Sequence, residues 1–89
     1  MKKKVAVIVT DRQQEALRMA VGLTLADNQI TVFVMDRRLE IDEGVAMSIE
    51  ALREMKATII TNTPENNFEQ MSTEEIARAL VEYDAVIPY

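Results

Sequence analysis

The chain contains no cysteine, no histidine and no tryptophan, and only two glycines and two prolines among its 89 residues. Without cysteine there is no disulfide, no thiolate nucleophile and no persulfide carrier. Without histidine there is no Ser-His pair, and a His/Cys zinc site cannot be built. The glycines, Gly22 and Gly44, form no Gly-rich phosphate loop. The turn Thr10-Asp11-Arg12-Gln13-Gln14 has none to let a phosphate approach the backbone, so nucleotide binding of Rossmann or P-loop type is not expected. Long hydrophobic runs are missing too, and nothing reaches the length of a membrane helix. The start Met1-Lys2-Lys3-Lys4 precedes only five apolar residues, Val5–Val9. A secretory core needs about seven to fifteen apolar residues and a small-residue cleavage site. The expectation is a cytoplasmic protein with no membrane association, no metal and no cofactor.

Charge is present but unevenly signed. Fifteen acidic residues against ten basic ones give a net charge of −5. Basic residues cluster only at Lys2–Lys4 and Arg37–Arg38, which argues against nucleic acid as a partner. The length implies one domain over residues 1–89, and a chain this short buries a small fraction of its surface. Small domains often recruit disulfides, metals or further subunits for stability. With the first two removed, oligomerisation is the remaining device.

The hydrophobic pattern alternates between two periods. Val5–Thr10, Ile30–Met35, Ala57–Thr61 and Ala85–Ile87 are short apolar runs, the first three rich in β-branched residues, of the kind that suits strands buried on both faces. Helical spacing predicts helices over Arg12 to about Ala26, Asp42 to about Met55, and Ser72 to about Tyr83. Asp11 is a candidate cap for the first helix. Ser72-Thr73-Glu74-Glu75 has capping-box form at the start of the third. Asn62–Gln70 reads as a loop. The βαβαβαβ order implies an α/β fold of three layers, α/β/α, with a four-stranded, mainly parallel sheet and right-handed crossovers. A flavodoxin-like strand order of 2-1-3-4 is expected.

In the first helix, the apolar residues from Ala16 to Ala26 spread over roughly 260° of the surface at 100° per residue. One sheet face cannot cover such a helix. Either a neighbouring helix of the same chain or a second subunit must pack there. The candidate subunit interface is Leu17, Met19, Val21, Leu23 and Leu25, and Gly22 would permit close approach.

Open parallel sheets place their sites at the carboxyl ends of the strands. The polar residues expected there are Thr10, Asp11, Arg37, Thr61, Asn62 and Thr63, a candidate small-ligand or anion site. Asp11 and Asp36 stand at two such ends and could approach as a paired-acid metal site. Their simpler roles are helix cap and strand-end turn.

The segments KKVAVIVT, QQEALRMAVGLTLADNQITVFVMD, ALREMKATIITNT and STEEIARALVEYDAVIPY together resemble the DsrE-like superfamily, which includes the DsrE/DsrF/DsrH and TusB/TusC/TusD sulfur-relay proteins. The likeness spans nearly the whole chain and includes the acidic residue before the last strand, here Asp84. Active members carry a persulfide-forming cysteine in the loop after the strand that matches Ala57–Thr61. Thr61-Asn62-Thr63 stands there instead, and a threonine hydroxyl cannot replace a polarisable thiolate. The resemblance therefore implies a non-catalytic member, in the manner of family members that lack the cysteine and serve as subunits. It implies a homo-oligomer (dimer, trimer or hexamer) or a hetero-oligomer with related subunits, associated with sulfur relay.

Overall fold

The β-branched runs form strands and the amphipathic segments between them form helices, in the order β1 (Lys4–Val9), α1 (Gln13–Leu25), β2 (Gln29–Val34), α2 (Glu43–Glu54), β3 (Thr58–Thr61), β4 (Glu69–Gln70), α3 (Thr73–Leu80) and β5 (Ala85–Pro88). This computed structural model describes residues 3–89. Met1 and Lys2, part of the basic start, lie outside the described residues.

All five strands run parallel, in the order β4-β3-β2-β1-β5. Two expectations are thereby corrected. Strand order is not 2-1-3-4, because β2 and β3 are added successively to one side of β1, while the last strand joins its other side. Among the described residues the strand count is five rather than four, because Glu69–Gln70, expected as loop, pairs with Ile60–Thr61 at the sheet edge. A strand of two residues carries no readable alternation.

Side chains of β1 alternate between two apolar layers. Val5, Val7 and Val9 meet Ala16, Leu17 and Ala20 of α1 and Val45, Ile49 and Leu52 of α2. Ala6 points the other way, to Phe33, Ile60 and Ile76 of α3. Helices α1 and α2 therefore share one face, and α3 alone covers the other.

The breadth of apolar surface on α1 is partly met by α2. Leu17 is fully buried, so it belongs to the core and is withdrawn from the candidate interface. Met19, Val21 and Leu23 are half-buried against the same core, and Leu25 is 72% exposed. Near the helix N-termini the Gln14 side chain lies against Gly44, where an added Cβ would stand 2.6 Å from its Nε2. Gly22 has nothing within 4 Å of its missing Cβ, so no close approach inside the chain depends on it.

Helix ends are set by local chemistry. The Asp42 side chain accepts from Val45 N–H at 2.8 Å and caps α2. Ser72 caps α3 in a complete capping box with Glu75. For α1 the expectation fails: Arg12 stands at the N-cap with no side-chain cap hydrogen bond. Asp11 instead pairs with Arg37 at 3.0 Å.

Candidate functional site

The carboxyl ends of β1, β2 and β3 open onto three loops, and the polar residues expected to face a ligand there are drawn into bonds with one another. Thr61, at the end of β3, is fully buried. Its hydroxyl donates to the Val34 carbonyl at 2.8 Å and accepts from Thr63 N–H at 3.1 Å and from Asn66 Nδ2 at 3.0 Å. Asn62 reaches across to the end of β2. Its Oδ1 accepts from the Asp36 N–H at 2.8 Å, and its Nδ2 donates to Asp36 Oδ1 at 2.9 Å and to Thr73 Oγ1 at 2.9 Å. The reciprocal pair holds Asp36 in the left-handed region at φ 64°, which aspartate tolerates better than most residues. Thr63 Oγ1 donates to Asn62 Oδ1 at 3.3 Å.

Thr10 lies apart from this cluster, between β1 and β5. Its N–H donates to the Tyr89 carbonyl at 3.1 Å, and its hydroxyl donates to the same oxygen. Asp11 and Arg37 form an exposed ion pair. So Thr61, Asn62 and Thr63 converge as a group, while Asp11, Arg37 and Thr10, the last bonded to Tyr89, line a hollow of about 390 Å³. Asp11 and Asp36 each have a different partner, and among the described residues no three His, Cys, Asp or Glu side chains are arranged to hold a metal ion.

Asn66 is the residue that sequence reasoning missed. It is only 5% exposed. Its Oδ1 accepts from Leu39 N–H at 2.7 Å, and its Nδ2 also donates to the Arg37 carbonyl at 3.1 Å. It fastens the loop after β2 to the loop after β3. Gln70 completes the brace, donating to the carbonyls of Thr63 at 3.2 Å and Asn66 at 2.9 Å. The Asn66-Asn67 pair marks a loop in sequence but does not indicate which side chain turns inward.

Beside this braced loop lies a groove of about 840 Å³. One wall is α2, with Ala46, Ile49 and Arg53; the other is the loop carrying Asn67 and Phe68. The Arg53 guanidinium lies over the Phe68 ring, 5.9 Å from its centroid. None of the six candidate ligand residues lines it.

Chemically, the hydroxyls and amides of Thr61, Asn62 and Asn66 at the strand ends are already committed to hydrogen bonds. Compared with protein-family models, with curated proteins and with solved structures, the chain gives no match.

Proposed function

We propose that the chain is a non-catalytic DsrE-like subunit, which works by assembling with copies of itself or with related subunits in a sulfur-handling system. The observation that carries this reading is the state of the loop after β3. There the resemblance puts the persulfide cysteine of active members, and this chain has Thr61, a buried residue whose hydroxyl is bonded on both sides. Such a loop braces the strand ends instead of presenting a reacting group. At Thr61, Asn62 and Thr63 the alternative, a small ligand or anion held at the strand ends, is weakened by such bonds, since a ligand would have to replace them. Leu25, exposed at the end of a helix whose apolar surface exceeds what the sheet and α2 cover, supports contact with another subunit.

Sedimentation across the micromolar range, joined with native mass spectrometry of protein taken from its own host, tests the reading. The expected result is a dimer or larger species, alone or with a related chain. A monomer throughout, with no co-purifying partner, would overturn it.

A further inference from the structure

Three of the four successive strand-to-strand links contain a helix: α1 between β1 and β2, α2 between β2 and β3, and α3 between β4 and β5. The link from β3 to β4 contains none. Parallel strands are ordinarily joined by a dozen or more residues, usually including a helix that lies on the sheet. Here residues 62–68 make the connection as a loop. On the face shared by α1 and α2, the position next to α2, over β3 and β4, is therefore left without a helix among the described residues.

That position is where the groove runs. Its main hollow, about 840 Å³, lies along the flank of α2. A second hollow of about 340 Å³ shares Arg53, Asn67 and Phe68 with it and extends to Ile59 at the sheet. The apolar floor is Ile49 and Phe68, with Ala46 exposed on the helix wall and Ile41 64% exposed at one end. The α2 wall runs from Ala46 to Arg53; at 1.5 Å per residue this is about 10 Å, or about two turns of a docked helix.

Charge selects the kind of helix. The ionisable residues along the two hollows are Glu40, Glu50, Glu65 and Glu69 against Arg38 and Arg53. The rim is thus acidic, within a chain of net charge −5.

We infer that this groove docks an amphipathic helix of a different protein, with an apolar stripe on one side and net positive charge flanking it. Helix-in-groove recognition of this kind uses apolar anchors at i, i+3, i+4 and i+7. A second copy of this chain is a poor occupant. It brings the same acidic charge to an acidic rim. The inference rests on the subunit reading and names the chemistry of one partner.

The probe is a labelled Leu/Lys peptide of about 14 residues with leucines at helical spacing, beside a Leu/Glu peptide of the same pattern. Both are titrated into the whole protein at physiological ionic strength, followed by anisotropy and by amide NMR shifts. The expected result is saturable binding of the Leu/Lys peptide alone, with shifts concentrated at Ile41, Ala46, Ile49 and Phe68. Ala46→Lys and Ile41→Lys, both at exposed positions, should each weaken it by about tenfold or more with the fold unchanged by circular dichroism. Undiminished binding to both variants, equal binding of the Leu/Glu peptide, shifts spread over the other acidic surfaces, or no saturable binding would each overturn the inference. So would a change in self-association caused by either variant without peptide, since a second copy would then occupy the groove. Failure of the peptide test with self-assembly intact removes this inference and leaves the subunit reading standing.

Discussion

Asn66 holds two loops together through a single buried amide. Its partners are the Leu39 N–H, the Arg37 carbonyl and the Thr61 hydroxyl, and Thr61 itself is tied to Val34 of the neighbouring strand. Removing the amide strands these groups where water has little access, and a buried unsatisfied donor or acceptor costs about 1–3 kcal/mol. Asn66→Ala should therefore lower stability by about that amount in urea unfolding, and Thr61→Val should do the same. Because the two residues share a bond, the double variant should cost less than the sum. A loss within about 0.5 kcal/mol for Asn66→Ala, the range of an ordinary surface change, would mean that the loops hold without it. The strand-end positions of Thr61, Asn62 and Thr63 were legible, since the apolar runs end there. Their role was not, because whether a strand-end hydroxyl meets a ligand or a neighbouring carbonyl depends on what lies beside it in space.

Helix α3 has only eight residues, and isolated helices shorter than about 12–15 residues are marginal in water. Its cap therefore matters more than a cap on α1 would. Ser72 Oγ accepts from Glu75 N–H at 3.1 Å, and the Glu75 carboxylate accepts from Ser72 N–H at 3.0 Å. Ser72→Ala should cost about 1 kcal/mol. The Ser72 backbone N–H, then the Ser72 hydroxyl, hold the Glu75 carboxyl below its usual 4.5. The folded state thus favours ionised Glu75. Its contribution is fully present above the unfolded value and is lost as pH falls through the lowered folded one. Glu75→Gln should accordingly be less stable than the parent at neutral pH, and the gap in urea midpoints should narrow on acidification below the usual carboxylate value. A gap that stays constant down to strongly acid pH would count against the carboxylate's part in the cap. The capping box was legible because all four residues are adjacent in the chain. Asp11 misled as a cap for the opposite reason: it is distant in sequence from Arg37, the cation that claims its carboxylate. The strand β4 was invisible because its two residues are defined by pairing with Ile60 and Thr61, not by their own pattern.

Right-handed crossovers that keep stepping in one direction put their helices on one face of a sheet, and a reversal puts the next helix on the other. The order β4-β3-β2-β1-β5 steps outward from β1 through α1 and α2, so those helices lie side by side. It then reverses through α3. The expected order 2-1-3-4 would have separated the first two helices. The excess apolar surface of α1 was evidence for the observed order, but a subunit interface explains the same surface, so the sequence left both open. The consequence is two unequal layers. One buries residues from two helices; the other has Ile76, 1% exposed, as the sole fully buried residue of α3. A layer anchored so thinly should open before the rest of the molecule. Ile76→Val removes one methyl group and should cost about 0.5–1.5 kcal/mol, small enough to keep the domain folded. In native-state hydrogen exchange the amides of α3 should lose protection first in the parent, and in Ile76→Val they should lose more than those of α1 and α2. Equal loss across all three helices would make the two layers one cooperative unit, held by the shared sheet and not by the helices that cover it.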